Sequence, residues 1–496
     1  MLEIFIALTA VVIYLLTVFL LKKRGVFNKY NISTIGPILL IRTTKGLNFL
    51  DKLARYKKFW RSVADLGLPL VFLSMGFMFS LVLFSDYIIL TNPPKPSPLT
   101  SPRNVLLLPG INEFIPVLWG AIGLIVTLIV HEFSHAILCR VEGVKVKALG
   151  ILLCVVPIGG FAEPDERDLK TNTNRTQRIR IFSAGVVSNY VTALIAFSAF
   201  FYLLGFVNPT VVVVDSDIKS VKAGSVILKV NGIPVRNQED VYEAIGNSKE
   251  IKILLKDKNG TKTVTLPNIM GVKIIGLYKK DNEIYPAERV GIKAGMVIVA
   301  INDKPIKNFT EFREFMQNTK PGQVISVKVY HNGSFKTFNV TLADMNGKGF
   351  LGVYIQNADY IGGISITYSS YILESLRNIP ITSIKGWLYM IAMPFRFQGF
   401  IGNVKNYFEA PEYVFNLLNA LYWIAWLNFY VGLFNCLPAI PLDGGRIFYE
   451  AFSSVLSRKY KDNADEIAMN VVKFLAIVVF SSIILSILIP NLRLLK

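Results

Sequence analysis

The sequence predicts a polytopic α-helical membrane protein with about six transmembrane helices, a membrane-associated β-hairpin and two small α+β domains outside the bilayer. Three observations predict it. Of 496 residues, 52% are hydrophobic and the mean hydropathy is +0.46, which moves the composition from the soluble to the membrane class. Apolar runs of about 20 residues recur, the length a helix needs to cross about 30 Å of hydrocarbon. Between them lies one long stretch, 208–357, that is charged, rich in turns and internally repeated.

The formal charge of +19 would suggest a nucleic-acid partner in a soluble chain. Here the positive residues cluster beside the apolar runs, and no basic stripe is interleaved with aromatics. Membrane orientation accounts for them, and no nucleic acid is expected. Cys139, Cys154 and Cys436 lie in or beside apolar segments and read as reduced thiols rather than a disulfide framework.

Residues 4–21 and 66–90 are the first two spans. The loop joining them, 22–65, holds eleven Lys and Arg against Asp51 and Asp65, which assigns it to the cytoplasm. Lys22-Lys23-Arg24 reads as the flank of an anchor rather than of a cleaved signal. Leu47–Trp60 is amphipathic and reads as a surface helix that packs rather than acts. Prolines 93, 94, 96 and 98 make 91–113 an outside loop. The third span, about 114–138, returns to the inside, and eight basic residues follow it between 139 and 180. Within that stretch Ala148–Phe161 is too short to span and too rich in Gly and Pro, so Gly150, Pro157, Gly159 and Gly160 predict a hairpin dipping back beside the third span. A fourth span, about 181–206, opens with Ala184-Gly185-Val186-Val187-Ser188-Asn189. Gly185 and Ser188 there suit close helix packing, and Asn189 is a hydrogen-bonding residue at membrane depth.

The charged stretch repeats at an offset of 71: Ala223-Gly224-Ser225-Val226-Ile227 and Val230-Asn231-Gly232 return as Ala294-Gly295-Met296-Val297-Ile298 and Ile301-Asn302-Asp303. Each block is followed by an apolar-periodic helix, 239–245 or 310–316, and then by two strands about a Lys-Asn-Gly-Thr or His-Asn-Gly-Ser turn. The pattern resembles tandem PDZ domains of the bacterial and archaeal kind. That resemblance implies a groove that takes a chain terminus as an added strand. In the second copy Ile275-Gly276-Leu277 stands where such a domain presents backbone amides to a carboxylate. Beyond the repeat, 381–399 is interrupted by Lys385, Pro394, Arg396 and Gln398 and reads as an outside interfacial helix. True spans follow at about 413–437 and 467–489, the latter with Lys473 snorkelling.

Chemistry concentrates in His131-Glu132-Phe133-Ser134-His135, inside the third span. On a helix the two histidines lie one turn apart on one face, so both imidazoles can reach one metal ion while Glu132 sits beside it, the arrangement a zinc hydrolase uses. The fifth span ends in Asn435-Cys436-Leu437-Pro438-Ala439-Ile440-Pro441-Leu442-Asp443-Gly444-Gly445. An aspartate at membrane depth needs a partner. Spans three and five run the same way with both motifs near the same end, so Asp443 can join His131 and His135 and leave the fourth position of a tetrahedral zinc open. Pro438 and Pro441 forbid a continuous helix there.

Together these pieces resemble the site-2 protease family of intramembrane zinc metalloproteases over about residues 110–490. Val186 stands where relatives usually have Pro, and residues 1–100 add two spans to the family's minimal core. The resemblance implies one Zn²⁺ per chain and Glu132 as the base that activates water. It implies substrate contacts from Asn435, Gly159, Gly160, Phe161, Pro438, Pro441 and Asn189. The implied substrate is a single-span membrane protein pre-trimmed on its outer side, cut within the lipid bilayer near the cytoplasmic face. The chain then divides into an N-terminal extension (1–100), the first half of the core (110–206), two extracytoplasmic PDZ-like domains (208–271 and 272–357), a linker with the interfacial helix (371–410) and the second half of the core (411–496). A non-catalytic PDZ scaffold and a metal transporter are the competing expectations. Neither needs a glutamate between the histidines.

Overall fold

The computed structural model describes residues 2–29, 32–104, 107–154, 156–280, 283–379, 383–460 and 462–492. The chain forms two compact units, one of Met1–Phe201, Ala392–Gln398 and Asn416–Lys496, the other of Tyr202–Ile391 and Gly399–Phe415.

The first unit opens with helix α1 (Leu2–Lys23), strands β1 (Ile32–Ile35) and β2 (Ile38–Thr43), helix α2 (Leu47–Ala54) and the 35-residue α3 (Lys57–Thr91). Then come α4 (Val117–Val141), β3 (Val146–Cys154), β4 (Val156–Pro164) and α5 (Arg175–Leu204). The expected hairpin is β3–β4, with Ile151 opposite Gly160. The basic loop 22–65 is more ordered than its composition predicts: β1 and β2 extend the hairpin into a four-stranded antiparallel sheet in the order β1-β2-β3-β4. Short apolar runs such as Ile38–Ile41 give no span signal, and their pairing depends on a partner over 100 residues away, Ile41 opposite Ile151. Arg42 reaches across this sheet, 2.8 Å from Glu163 and 5.7 Å from the Phe161 ring centroid.

Helix α4 ends in a Schellman motif. Val144 N–H donates to Cys139 C=O at 2.8 Å and Gly143 N–H to Arg140 C=O at 3.3 Å, with Gly143 at φ +88°, a conformation glycine adopts without strain. The C-cap residue, Glu142, has a wholly buried side chain that accepts from Arg61 Nε and Nη2 at 2.9 and 2.8 Å and from Gln177 Nε2 at 2.9 Å. One carboxylate thus ties α3 and α5 to the end of α4. Beneath that end, α2 buries Leu50 and Ala54 against Ala136, Ile137, Val141 and Ile181. The N-terminal extension is also part of the core, because Val71 and Met75 of α3 pack with Val186, Val187, Cys436 and Ile447.

The second unit contains β5 (Val211–Ser216), β6 (Val226–Val230), α6 (Gln238–Ile245), β7 (Glu250–Asp257), β8 (Gly260–Pro267), β9 (Met270–Leu277), β10 (Val297–Ile301), α7 (Phe309–Gln317), β11 (Val324–His331), β12 (Ser334–Thr341), β13 (Val353–Ile355), β14 (Asp359–Ile361) and β15 (Ile364–Tyr368). The repeat holds down to single hydrogen bonds. Asn231 and Asn302 have φ +49° and +50°, and their Oδ1 atoms accept from Lys252 N and Ser326 N at 2.9 and 2.8 Å. Asn237 and Asn308 each cap a helix, accepting at 2.8 Å from Asp240 N and Glu311 N. Each copy has its own core, one around Val230, Ile253 and Leu255, the other around Ile301, Val327 and Val329.

The copies are not consecutive beads. Ile361, Ile364, Ile366 and Tyr368 belong to the first core, and β15 pairs with β5, so the second copy is inserted before the last two strands of the first. The expected boundary at 271/272 falls inside β9, where Gly271 pairs with Tyr360 and Val272 with Ile298. Repeat detection missed this because the closing strands have no counterpart in the repeated blocks. Asp359 joins the copies: its carboxylate accepts from Tyr368 Oη at 2.8 Å, Tyr242 Oη at 3.1 Å, Gln238 Nε2 at 3.0 Å and Phe309 N at 3.2 Å.

The remaining helices are α8 (Ile384–Ala392), α9 (Glu412–Asn435), α10 (Asp443–Leu456) and α11 (Ala464–Leu492). α8 occupies the expected interfacial segment and exposes Ile384, Trp387 and Leu388. Residues 381 and 382 of that expectation lie outside the described residues. Among the described residues five helices are long and apolar enough to cross a membrane: α3, α4, α5, α9 and α11. Each overlaps one of the expected spans from the second to the sixth.

Candidate metal centre

The centre lies wholly within the first unit. α4 presents His131 and His135 one turn apart, with ring centroids 4.7 Å apart and the rings edge to face. Asp443, 308 residues beyond His135, is the first residue of α10. Two glycines make that placement possible. A Cβ at Gly444 would lie 2.3 Å from Cys436 O, and one at Gly445 would lie 2.5 Å from the Ala439 carbonyl carbon, so the loop 436–442 can close on the helix start only if both positions lack side chains.

Three ligand atoms converge. His131 Nε2 and His135 Nε2 are each 3.1 Å from Asp443 Oδ2 and 3.2 Å from one another. A tetrahedral zinc with bonds of about 2.0–2.1 Å spaces its ligands about 3.3 Å apart, close to this triangle. Hydrogen bonding supports the fit. His135 Nδ1 lies 2.7 Å from Ile181 O, and a carbonyl only accepts, so the ring proton belongs on Nδ1 and the Nε2 lone pair faces the carboxylate. Acceptor atoms converging at 3.1–3.2 Å repel unless a cation lies among them, and one proton can bridge only one of the three pairs. The donor set, two imidazoles and a carboxylate, suits zinc.

Helix α5 forms one wall. An added Cβ at Gly185 would stand 2.5 Å from both His131 Cε1 and His135 Nε2. The sequence marks Gly185 as a helix-packing residue; its more specific role, letting α5 pass directly over the imidazoles, has no local signal. Asn189, one turn along α5, is fully buried with its amide 3.1 Å from His131 Nδ1. The structure therefore places it behind a histidine, away from the expected substrate contact.

Glu132 points to the sheet. Its Oε2 accepts from Ala162 N at 2.9 Å, and its Cγ lies 3.0 Å from where a Gly160 Cβ would be. β4 is the edge strand, so the backbone on the Gly160 and Ala162 side faces α4 rather than β3. Gly159 is buried against Leu152, and Phe161 lies under Arg42. Asn435 ends α9 and is half-buried. Pro438 is buried and lines an apolar groove with Phe72, Met75 and Phe448, whereas Pro441 is exposed. Ala162 N and Ile181 O were missed from sequence because backbone atoms carry no residue-type signal.

Ile275-Gly276-Leu277, read as a carboxylate-binding stretch, is part of β9 and pairs with β13, Gly276 opposite Tyr354 and Leu277 opposite Val353. That pairing takes up one edge of the stretch, and no local pattern reveals it.

Residues 119–479 match the family model described as peptidase family M50. Among curated proteins, the chain is 24% identical over 431 residues to an uncharacterized protein of Methanocaldococcus jannaschii, covering 86% of this chain and 81% of that one. It is 23% identical over 426 residues to the regulator of sigma-E protease RseP of Salmonella typhimurium, covering 69% of this chain and 92% of the relative. With helices able to span a membrane and a cluster of two histidines and an aspartate fit for zinc, the chain belongs to peptidase family M50, the membrane zinc metalloproteases of the site-2 type.

Proposed function

We propose that this protein hydrolyses peptide bonds in or near the transmembrane segment of membrane-protein substrates. The observation that carries the proposal is the convergence of His131, His135 and Asp443 beside Glu132, on helices that can span a bilayer. His131, His135 and Asp443 would hold one zinc ion, which when bound supplies the Lewis acidity that makes water a nucleophile near neutral pH. Glu132, beside the ligands, would serve as the base that accepts a proton from the attacking water and as the acid that returns it to the leaving amine. Its bond to Ala162 N keeps the carboxylate at the edge of β4. A substrate helix hides its amides in its own hydrogen bonds, so it must unwind before attack. The edge of β4 at Gly159-Gly160-Phe161 supports a reading in which the extended substrate adds as a strand, with Asn435 and the prolines of the 436–442 loop on its other side.

In this reading the metal centre lies toward the cytoplasmic side and the repeated unit, PDZ-like in its repeat, stands outside. That unit screens out substrates whose outer domains have not been removed. The distribution of Lys and Arg supports that orientation. The test is Glu132→Gln in the purified protein, with a single-span substrate in proteoliposomes. Cleavage should fall to background while bound zinc stays at one per chain. Undiminished cleavage would refute the role of Glu132, and zinc-dependent ion flux without cleavage would favour a transporter.

A further inference from the structure

We propose that Asn189 is a positioning residue of the metal centre: its side-chain carbonyl accepts the Nδ1 proton of His131 and so turns that ring's Nε2 lone pair toward Asp443 and His135. The inference rests on the zinc-binding reading of those three ligands.

Asn189 is fully buried within α5, and its only hydrogen-bond partner among the described residues is His131 Nδ1, 3.1 Å from the amide end assigned as Nδ2; the end assigned as Oδ1 has none. The two ends of an amide have nearly the same shape, so which atom faces the ring is decided by what the ring requires. A neutral imidazole carries one proton. On His131, a proton on Nε2 would fill the point where Nε2 converges with His135 Nε2 at 3.2 Å and Asp443 Oδ2 at 3.1 Å. A cation at that point therefore requires the proton on Nδ1. The atom facing it must accept, which makes it Oδ1.

The same logic operates on His135, where the acceptor is the Ile181 carbonyl at 2.7 Å. The two rings thus have matched supports, one from the backbone of α5 and one from a side chain of α5. Gly185 and Asn189 are one turn apart, so the residue that gives the rings room and the residue that orients one of them share a face. Tight packing keeps the amide in place: a Cβ at Gly432 of α9 would be 3.5 Å from Asn189 Cβ. A buried amide satisfied at only one end is a poor choice for filling space, since leucine fills a similar volume without stranding a polar atom. The contact with His131 is what distinguishes asparagine here. An uncharged acceptor also orients the ring without placing another carboxylate in an apolar region.

The test uses full-length protein in detergent, with zinc affinity measured by chelator competition and melting measured on the chelator-stripped protein. Asn189→Leu should weaken zinc binding about 10- to 100-fold, the usual effect of losing an outer hydrogen-bond partner, while the stripped protein melts no lower than wild type. Asn189→Asp keeps an acceptor oxygen and should bind zinc within a few-fold of wild type. Wild-type affinity in Asn189→Leu, or a loss in Asn189→Asp equal to that in Asn189→Leu, overturns the proposal. A second measurement is independent of any variant. The chain has three histidines, so ¹⁵N-histidine NMR of the zinc-loaded protein resolves each ring. A proton on His131 Nδ1 supports the assignment and its absence overturns it. If wild-type protein binds no zinc, the reading of the centre itself fails, a result distinct from either outcome.

Discussion

Gly185→Ala tests whether the close passage of α5 over the two histidines controls the centre. The added Cβ would lie 2.5 Å from His131 Cε1 and His135 Nε2 and 2.7 Å from His131 Nδ1, whereas ordinary van der Waals contact begins near 3.4 Å. Something must therefore retreat by about 0.9 Å. The rings have little freedom, since His135 is bonded to Ile181 O and His131 faces the amide of Asn189. α5 is equally constrained, because Arg178 Nε and Nη2 hold Glu450 of α10 at 2.6 and 2.9 Å. Overpacking of this kind costs about 1–3 kcal/mol, and a misplacement near 1 Å at a reacting centre costs about 100-fold in rate. The expected result is a folded protein with zinc affinity weakened at least tenfold and kcat/KM on a membrane substrate reduced about 100-fold. Gly76→Ala in α3, where an added Cβ meets nothing within 4 Å, is the control and should leave both unchanged. Wild-type zinc affinity and turnover in Gly185→Ala would refute the steric argument.

Two further predictions concern the scaffold. Leu50 of α2 is fully buried beneath the end of α4, so Leu50→Ala should cost about 2–5 kcal/mol and lower the melting temperature although it touches no ligand; an unchanged melting curve would show that α2 is dispensable. In the repeated unit, burial raises the Asp359 carboxyl above its ordinary range. A carboxyl with a raised folded pKa adds stability fully present below its unfolded pKa and lost as pH rises through the folded one. Hydrogen exchange of β14 and β15 should therefore quicken as pH rises through the range just above that of an ordinary aspartate, after correction for intrinsic exchange. In Asp359→Asn that pH-dependent component should disappear. An identical pH profile in the variant would remove Asp359 as its source.

Some of this was legible residue by residue. The interruptions at Pro438 and Pro441 and the Gly-rich run 157–160 mark a loop and a hairpin in apolar surroundings, and the structure has a turn before Asp443 and the β3–β4 hairpin. The 71-residue offset found a true structural repeat, since turn asparagines and helix caps are local chemistry repeated at fixed spacing. It failed at the edges of the copies, where β14 and β15 return from beyond the second copy and β13 pairs along one edge of Ile275-Gly276-Leu277. Strand pairing is a relation between two segments. Neither Val353–Ile355 nor Ile38–Thr43 contains a local feature naming its partner.

By itself the sequence determined that the chain is a membrane protein, that it carries a His-Glu-x-x-His helix, and that Asp443 is a third ligand to consider, because hydropathy, helical spacing and the cost of a lone charge in lipid are properties of single segments. Tertiary structure decided what holds the ligands: the Ile181 carbonyl behind His135, the Asn189 amide behind His131, the bare Cα of Gly185 above both, and the Ala162 amide that fixes Glu132. Those contacts join residues 30 to 58 positions apart, and Asp443 reaches His135 across 308. A metal ligand can be recognised by its residue type, but its support is defined by distance and direction, which exist only once the helices have packed.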